Sequence, residues 1–470
     1  MGYITRIMKK IIVLISILLP FGLFAEVMLP AIIGDHMVLQ QNTKVKIWGW
    51  STNPNEVVKI KSDWDTTTYK TEARYGKWLI EIQTPKSGGK HELSILSDGK
   101  PLKINDIVFG ENWLLSGQSN MEWSGIKNLQ EALDEAPNAN FDGIRFFYIP
   151  KTVSDSPQED VKAHWVICNP NDMKSFSAIG YFFGKKLHQT MNVPIGLISS
   201  NWGGTPAEVW TPKEEVISNP DLLASAKKLK TYNWWSSIPG DNYNAMIHPI
   251  KNFNLAGVLW YQGESNVDNY ATYAQLMNRL ILSWRTAFNK DLPFYFAQIA
   301  PYSGYAKDLG ARLREQQTIS LQTPNTAMVI LTDLVDDVKN IHPNLKIEVA
   351  NRFANLALSK VYHQDAGAIL YPKYDRHEVI KNKIKVYFKE VGDKLVLKTG
   401  ESVSHLYIAG EDHKFYPAES KLEKNAMVVW SKEVPNPVAV RYAFENDSMP
   451  NVFSKEGLPL NLFRTDNWEE

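Results

Sequence analysis

Short runs of alternating hydrophobic and polar residues fill the chain between Met28 and about Val108. The clearest of them read VKIWGW, VVKIKSD, KWLIEIQT and HELSIL. A period of two places every second side chain on the same face, which is the pattern of a half-buried β-strand. Short strands at this spacing predict an N-terminal β domain of the sandwich type.

The pattern changes after residue 108, where almost wholly apolar runs alternate with helical ones. The apolar runs are IVFGENWLLSG, IRFFYI, IGLISSNWGG, LAGVLWYQGE, FYFAQIAP and AMVILTDL. Helical periodicity is found in FSAIGYFFGKKLHQTM, YATYAQLMNRLILSWRTAF and ARLREQQTISLQ. Apolar strands interleaved with helices predict a parallel sheet covered on both faces, whose ligands bind at the carboxyl ends of the strands.

Strand-like text returns from about Tyr371 to the end of the chain, in KIKVYFKE, KLVLKTG, SHLYIAG, AMVVWS and PVAVRYAF. A second β module is therefore expected after the α/β region. The predicted plan is a signal peptide over residues 1–25, a β domain over 26–108, a catalytic α/β domain over 109–368 and a β domain over 369–470.

The N-terminus has the pattern of a signal peptide. Arg6, Lys9 and Lys10 precede an apolar run, IIVLISILLPFGLFA, which is shorter than the ~20 residues of a membrane-spanning helix. Ala25 is the expected last residue, and because Glu26 rather than a cysteine follows it, no lipid anchor is indicated. The alternative is an uncleaved membrane anchor. We expect export to the periplasm or the extracellular space, with no stable membrane anchor.

Composition narrows the classes of function. The 51 basic residues balance 51 acidic ones, so there is no overall field that would attract nucleic acid. The 15 Trp and 20 Tyr residues suit stacking against sugar rings, although large aromatic cores explain them equally well. The 10 His residues lack metal-binding spacing, and no metal or cofactor is predicted. Cys168, the only cysteine, cannot form an internal disulfide and is expected to be a buried small residue.

The most specific motif is LLSGQSNMEW, which ends the first apolar strand of the α/β region. A strand that stops at Gly-x-Ser delivers Ser119 to the carboxyl edge of the sheet, where the N-terminus of the next helix favours negative charge. The alternative role for Ser119 is a helix N-cap. The motif is not the G-x-S-x-G elbow of α/β hydrolases, because Met121 replaces the second glycine.

Three other strand ends carry polar clusters. One apolar strand runs into Asn201-Trp202-Gly203-Gly204-Thr205, and glycines allow a backbone N–H to approach a ligand closely. Another runs into the sequence WYQGESN, residues 260–266, and the last into Asp333 and then His342-Pro343. Because the carboxyl ends of parallel strands meet at one edge, we expect these clusters and Ser119 to share a crevice.

Together these blocks carry a family resemblance. GQSNM, NWGGT, WYQGESN and IHPNLK, in that order and at these strand ends, resemble the sialate O-acetylesterase family of the SGNH hydrolases. MVLQQNTKVKIWGW and GLPLNLFRTDNW also resemble that family's N-terminal β domain and closing segment. The resemblance implies a flavodoxin-like three-layer α/β/α SGNH hydrolase core with a parallel sheet, flanked by N- and C-terminal β-sandwich-like domains.

The resemblance also implies roles for individual residues. Ser119 would be the nucleophile that attacks an acetyl ester, and His342 the base that takes its proton. Donors to the tetrahedral oxyanion are implied to be the N–H of Ser119, the N–H of Gly203 or Gly204, and the side-chain amide of Gln262. The residues implied to support this site are Gln118, Asn120 and Glu264.

The partner of His342 is left open by the sequence DDVKNIHPNLK. SGNH hydrolases usually place an orienting Asp three residues before the His, but Lys339 is found there, and a lysine cannot accept a hydrogen bond. Two alternatives remain. One is that Asp336, Asp337 or Asp333 reaches the ring; the other is that a backbone carbonyl does, leaving a Ser-His dyad, which we favour.

Two further residues need a decision between chemistry and structure. Glu264 with Glu208 or Asp333 would make a glycosidase acid/base pair, but we favour a bracing role for Glu264, since a glycosidase leaves GQSN unexplained. His248 also sits in an Ile-His-Pro string, but it precedes a strand rather than following one. We therefore expect His248 to be a packed structural histidine.

The preferred function is an exported esterase that removes acetyl groups from O-acetylated sialic acids. Since deacetylation uses the same machinery on any sugar, an acetylated plant polysaccharide such as xylan is the alternative substrate. A non-catalytic carbohydrate-binding protein is the alternative from another class.

Overall fold

The computed structural model describes residues 26–97 and 101–468 of the chain. The predicted signal peptide, residues 1–25, lies outside these ranges. Within them, no helix is both long enough and apolar enough to cross a membrane.

The N-terminal region consists of short strands, as the alternating pattern predicts. They are β1 Val27–Met28, β2 Val38–Gln40, β3 Lys44–Ser51, β4 Val57–Ser62, β5 Thr68–Glu72, β6 Lys77–Gln83 and β7 His91–Leu96. β1, β3 and β6 form a three-stranded antiparallel sheet, while β4 pairs with both β5 and β7. Along β6, buried and exposed residues alternate strictly, because only one face of this strand is covered.

A single long strand, β8 Leu102–Gly117, connects this region to the α/β core. Its first half pairs antiparallel with β7, its middle pairs parallel with β2, and its second half is the centre of the core sheet. The predicted domain boundary between residues 108 and 109 thus falls within β8. The last eleven residues of β8 are all buried, as expected for a strand covered on both faces.

The core strands that follow are β9 Phe141–Tyr148, β10 Trp165–Cys168, β11 Ile195–Asn201, β12 Gly257–Tyr261, β13 Phe294–Ala297 and β14 Thr326–Val329. Their order across the sheet is β10-β9-β11-β8-β12-β13-β14. All neighbours on this path are parallel except β10, which pairs antiparallel with β9. With β2, β4, β5 and β7 attached through β8, the sheet has eleven strands.

The sheet is therefore mixed: its centre, from β9 to β14, is parallel as expected, while antiparallel strands are attached to it in two places. Two features cause this. β10 returns as an antiparallel edge strand, and the long β8 carries antiparallel strands of the N-terminal region on its first half. Sheets of this size often carry antiparallel edges on a parallel centre.

Nine α-helices accompany these strands. They are α1 Ser119–Glu122, α2 Gln130–Glu135, α3 Pro170–Ser175, α4 Ala178–Met191, α5 Lys213–Ile217, α6 Pro220–Ala226, α7 Tyr273–Phe288, α8 Leu309–Ser320 and α9 Lys346–Lys360. These nine are the α-helices of the described residues only. No element is predicted from the sequence for residues 346–360, yet α9 forms there and packs against α4.

Helices cover both faces of the core sheet. Trp113 of β8 packs edge-to-face on Phe183 of α4. Trp260 of β12 is paired with Ser116 of β8, which is three residues from Trp113 and therefore points to the other face of the sheet. Trp260 packs on Trp284 of α7. Because successive residues of a strand point to opposite faces, α4 and α7 lie on opposite sides of the sheet.

The C-terminal region is again built from strands. They are β15 Lys373–Ile380, β16 Lys383–Lys389, β17 Leu395–Leu397, β18 Leu406–Ala409, β19 Phe415–Pro417, β20 Glu419–Leu422, β21 Ala426–Trp430, β22 Ala439–Tyr442, β23 Val452–Ser454 and β24 Phe463–Arg464. All their pairings are antiparallel. This region has its own hydrophobic cluster, to which the core contributes Ala311 of α8.

Candidate active site

The carboxyl ends of three neighbouring strands lie level with one another. Gly117, the last residue of β8, is paired with Asn201 of β11 on one side and with Tyr261 of β12 on the other. Gly117 has φ +124°, and a Cβ there would lie 2.2 Å from the carbonyl oxygen of Tyr261. Only glycine fits this junction. It allows the polar residues that follow β8, β11 and β12 to lie at one edge of the sheet.

Ser119 and His342 meet at this crevice. Ser119 is the first residue of the single-turn α1, directly after β8. His342 lies in the loop that follows β14, and its Nε2 is 2.9 Å from the hydroxyl oxygen of Ser119. This is the hydrogen bond through which a histidine takes the proton of a nucleophilic serine.

The loop that carries His342 is held by hydrogen bonds of two asparagines. Asn340 accepts from the N–H of His342 at 3.0 Å and donates to the carbonyl of His342 at 2.8 Å. From the other side of the crevice, the amide of Asn120 donates to the carbonyl of Ile341 at 3.0 Å. These bonds fix the backbone that carries the imidazole relative to the serine loop.

The three acids considered as partners of His342 are all engaged elsewhere. Asp336 accepts from the side-chain amide of Asn344 at 2.7 Å, and Asp337 accepts from the N–H of Lys339 at 2.9 Å. Asp333 forms a bidentate pair with Arg352 at 2.7 and 2.8 Å. Across residues 26–97 and 101–468, neither a carboxylate nor a backbone carbonyl accepts a hydrogen bond from Nδ1 of His342.

An aromatic ring holds the imidazole instead. The indole of Trp123 stacks on His342 with ring centroids 3.9 Å apart and planes inclined by 14°. Trp123 follows α1, and its backbone N–H donates to the carbonyl of Ser119 at 2.8 Å. Its position four residues after Ser119, inside the motif LLSGQSNMEW, is the signal by which the sequence could have shown this role.

The environment of His342 keeps its ring neutral. Burial, together with the positive charge of Lys346, lowers the pKa of His342 to about 4, and the carboxylate of Glu122 acts in the opposite direction. A neutral imidazole is the form that can accept a proton. His342 is therefore ready to act as a base at neutral pH.

A buried polar network lies beneath the serine. Asn120 donates to a carboxylate oxygen of Glu264 at 2.6 Å and accepts from Nζ of Lys346 at 2.6 Å. Lys346 is only 1% exposed, and burial lowers its pKa to about 7. Asn120 thus separates a buried acid from a buried base while it holds the loop of His342. Glu264 braces the site through this side chain. No role follows from the sequence for Lys346, the last residue of the motif IHPNLK.

Gln118 connects two of the strand ends. Its side-chain oxygen accepts from the N–H groups of Gly263 and Ser265, at 3.3 and 3.4 Å. These residues follow β12, so Gln118 joins the serine loop to the loop that carries Glu264. A support role is in keeping with these contacts.

Two of the implied oxyanion donors are already used. The N–H of Gly203 donates to a carboxylate oxygen of Glu122 at 2.8 Å. The amide nitrogen of Gln262, which is fully buried, donates to Asn266 at 2.7 Å and to the carbonyl of Thr205 at 3.3 Å. Since an amide has two hydrogens, Gln262 has none left for an oxyanion, which corrects the role implied for it.

Two donors remain at the nucleophile. Within the described part of the chain, the N–H groups of Ser119 and Gly204 donate to no other residue. Gly204 has φ +83°, in the left-handed region that favours glycine. A Cβ on the neighbouring Gly203 would lie 3.2 Å from Cβ of Ser119, so this loop runs directly beside the serine.

The carboxylates needed for a glycosidase are committed to other partners. Glu208 is buried and accepts from the amide of Asn266 at 2.8 Å, while Asp333 is paired with Arg352. Burial also raises the pKa of both Glu208 and Glu264. The bracing role is the one that fits the contacts of Glu264.

Three other predictions concern residues outside the crevice. His248 is hydrogen-bonded through Nδ1 to the carbonyl of Gln158 at 2.8 Å and through Nε2 to Lys251 at 2.6 Å, which confirms a structural role. Cys168 is buried, and burial raises the pKa of its thiol to about 12. No group of three or more His, Cys, Asp or Glu residues within the described ranges is arranged to hold a metal ion.

Comparison with known proteins places the site in a family. The model of the family "Carbohydrate esterase, sialic acid-specific acetylesterase" matches residues 110–359, which include Ser119 and His342. The chain is 30% identical over 394 residues to the sialate O-acetylesterase of Pongo abelii, covering 75% of this chain and 74% of that protein. It is 29% identical to that of Homo sapiens over the same shares of the two chains.

A solved structure agrees over almost the whole length. The crystal structure of a carbohydrate acetylesterase from Xanthomonas citri is 31% identical and superposes with a TM-score of 0.85. The match covers 94% of this chain and 100% of the other, so it includes the two β regions as well as the core. The chain therefore belongs to the sialic acid-specific acetylesterase family of carbohydrate esterases.

Proposed function

We propose that this protein is a serine-dependent O-acetylesterase that removes acetyl groups from O-acetylated sialic acids. The observation that carries the proposal is the 2.9 Å hydrogen bond between Ser119 and Nε2 of His342 at the carboxyl edge of the core sheet. The family and the names of the relatives support an acetylated sugar as the substrate.

The first half of the reaction forms an acetyl-enzyme. The hydroxyl of Ser119 attacks the carbonyl carbon of the acetyl ester while Nε2 of His342 takes its proton. The carbonyl oxygen becomes an oxyanion, which the N–H groups of Ser119 and Gly204 are free to stabilise. When the tetrahedral intermediate collapses, the bond to the sugar oxygen breaks, and His342 returns the proton to that oxygen.

The second half releases acetate. A water molecule attacks the acetyl group on Ser119 while His342 takes its proton, and when the intermediate collapses His342 returns that proton to the serine oxygen, leaving acetic acid, which ionises to acetate. No metal is needed for either half, because the oxyanion is stabilised by backbone N–H groups and the proton is carried by the imidazole.

We further propose that His342 acts in a dyad. Stacking on Trp123 fixes the plane of the ring, which is one task of a triad acid. The charge of Glu122, which raises the pKa of His342, contributes part of the other task, the stabilisation of the imidazolium. A carboxylate without a hydrogen bond to the ring stabilises imidazolium less than a true triad acid does.

The fold proposed for the core is the flavodoxin-like SGNH type. Five parallel strands lie in the order β11-β8-β12-β13-β14, which is 2-1-3-4-5 when they are counted along the chain with β9 and β10 left out as an edge addition. Helices on both faces support three layers, and the antiparallel strands before and after support flanking β-sandwich-like domains.

The substrate is tested by comparing two sugars. Purified enzyme is assayed for acetate release from O-acetylated sialic acid and from acetylated xylan at equal ester concentration. The proposal expects the larger kcat/KM on sialic acid. A larger value on xylan would assign the enzyme to plant polysaccharide, and no release from either would leave a carbohydrate-binding protein without esterase activity.

Export is part of the proposal and rests on the basic and apolar pattern of residues 6–25. Fractionation of cells that express the whole chain tests it. We expect the mature protein to begin at Glu26 and to be found in the periplasm or the medium. An intact N-terminus in the membrane fraction would show an anchor instead.

A further inference from the structure

A cavity of about 530 Å³ opens beside the crevice of Ser119. One wall is the segment after α6, with Tyr232, Trp234 and Trp235. Tyr305 and Glu264 also line the cavity. The reaction described above uses none of the three aromatic residues of the first wall, which we call the aromatic wall.

The cavity is lined by Gly204, whose neighbour Gly203 runs beside Ser119. A Cβ on Gly203 would lie 3.2 Å from Cβ of Ser119, and a Cβ on Gly204 would lie 2.7 Å from Nε1 of Trp235. Ser265, another lining residue, donates to the carbonyl of Gly204 at 2.7 Å. The two-glycine loop therefore lies against both Ser119 and the aromatic wall, so the cavity is next to an ester held at Ser119.

The aromatic wall presents rings to the solvent. The Tyr232 ring lies 5.0 Å from that of Trp234 and 4.7 Å from that of Trp235, and Trp234 is 64% exposed. Neighbouring aromatic rings form a surface of apolar faces. Covering an exposed tryptophan with another apolar face is favourable, because it removes apolar surface from water. The C–H face of a sugar ring is such a surface.

The cavity also offers polar partners. The second carboxylate oxygen of Glu264 and the hydroxyl of Tyr305 are buried and have no hydrogen-bond partner among the described residues. An unpaired buried polar group costs free energy. Ligand hydroxyl groups supply the missing partners only where these side chains turn toward the cavity, because the two atoms are enclosed in this structure.

One positive charge at the cavity is not neutralised. Lys230 is paired with Asp268 at 3.1 Å. Lys228 also lines the cavity and is exposed, and no acidic residue of the described ranges forms an ion pair with it. A free ammonium group beside a sugar-sized cavity favours a sugar that carries a negative charge.

We propose that this cavity binds the sugar ring of the acetylated substrate, with the aromatic wall against the ring and Lys228 facing a carboxylate on it. The inference rests on the proposed esterase function and deepens it, because it assigns the substrate to the acidic sugars and places the residues that recognise them.

Trp234→Ala tests the stacking. The variant is assayed on O-acetylated sialic acid and on 4-nitrophenyl acetate, which has no sugar ring. We expect kcat/KM for the sugar ester to fall about tenfold or more, because the sugar ring loses the aromatic face against which it packs. The value for 4-nitrophenyl acetate stays within about twofold, as expected for a surface substitution away from the chemistry. Tyr75→Ala, at a residue that is 97% exposed, is the control.

Lys228→Met tests the charge. We expect KM for O-acetylated sialic acid to rise about tenfold while KM for an acetylated neutral xylooligosaccharide is unchanged. Lys228→Arg should recover most of the loss, since arginine keeps the charge. Lys227→Met is the matched control, because Lys227 is equally exposed but does not line the cavity.

The outcomes separate this inference from the esterase proposal. If Trp234→Ala affects both esters equally or neither of them, the sugar subsite is wrong while the esterase remains. If Lys228→Met affects the neutral and the acidic sugar alike, the carboxylate contact is wrong. If Ser119→Ala retains activity on 4-nitrophenyl acetate, the esterase mechanism itself fails.

Discussion

The protonation of His342 sets the acidic limit of activity. Because burial holds the pKa of His342 at about 4, the ring stays neutral until the pH falls far below the usual histidine range. A general base works in its neutral form, so kcat/KM rises through the pKa and is level above it. We expect the acidic limb on 4-nitrophenyl acetate to have its midpoint near pH 4. A midpoint near 6.5 would contradict this environment.

Two charged neighbours should move that limb in opposite directions. Lys346 lowers the pKa of His342, so Lys346→Met should shift the acidic limb to higher pH. Glu122 raises the pKa, so Glu122→Gln should shift the limb to lower pH. The pH at the midpoint of the limb reports the pKa of His342 even in a variant whose kcat is lower. Shifts of the same sign in both variants would show that the charges do not act on His342.

The dyad predicts unequal effects of neighbouring substitutions. Asp336 and Asp337 bond to their own loop and not to the ring, so Asp336→Asn and Asp337→Asn should each keep activity within about threefold. His342→Ala should lose at least about 10³-fold in kcat, as removal of a catalytic base does. Collapse of activity in either Asp variant, with an unchanged circular dichroism spectrum, would restore a triad.

The ends of the strands decide whether these residues meet. One residue, Gln118, separates Ser119 from the end of β8. The close approach of β8 and β12 depends on Gly117. The hydrogen bonds of Gln118 and Asn120 then tie the serine loop to the loops after β12 and β14. The site is thus positioned by rigid elements, while its chemistry lies on the loops between them.

Gly117→Ala should test the junction of β8 and β12. A Cβ would collide with a backbone carbonyl 2.2 Å away, at a φ that alanine rarely adopts. We expect the free energy of unfolding in urea to fall by about 2–4 kcal/mol. Gly88→Ala is the control, because a Cβ there meets nothing within 4 Å and Gly88 has no left-handed φ. Equal stability of the two variants would contradict the tight junction.

Elements with a strong period could be predicted from the sequence, and pairings between distant segments could not. HELSIL is β7 to the residue, and the apolar run at 195–204 contains β11. The antiparallel β10 and the helix α9 were missed. The direction of an edge strand depends on how a long connection returns, and periodicity does not record this.

The same contrast between local sequence patterns and contacts of distant segments holds for the candidate active site. The positions of Ser119 and His342 follow from motifs at strand ends. The roles of Trp123 and Lys346 depend on side-chain geometry across the crevice, and neither residue belongs to a metal or triad pattern. The hydrogen bonds that occupy Gly203 and Gln262 are likewise formed with partners far along the chain, Glu122 for one and Thr205 for the other.

At the scale of the whole molecule, β8 joins the N-terminal strands and the core into one folding unit. One hydrophobic cluster contains residues from Ile32 to Tyr371, including both regions, while the C-terminal strands have a separate cluster. The C-terminal region is tied to α8 by the bidentate ion pair of Arg464 with Glu315, at 2.8 and 2.9 Å. The N-terminal strands and the core therefore share a strand and a hydrophobic cluster.

Hydrogen exchange at increasing urea tests this coupling. We expect the amides of β4 and β7 to become exchangeable at the same urea concentration as those of β11 and β12, because unfolding one part breaks the strand that both share. The control is the exchange of the C-terminal β16 and β21, which has a core of its own. Earlier exchange of β4 and β7 alone would show that the N-terminal region unfolds by itself.

The esterase account depends most directly on Ser119, and one comparison tests it. Acetate release from O-acetylated sialic acid is measured for the wild-type protein, for Ser119→Ala and for Ser116→Ala. Ser116 lies on β8, three residues before Ser119 in the chain, and its buried hydroxyl makes no hydrogen bond within the described residues. The account predicts a loss of at least about 10³-fold in kcat for Ser119→Ala and little change for Ser116→Ala. Equal rates for Ser119→Ala and the wild-type protein would contradict it.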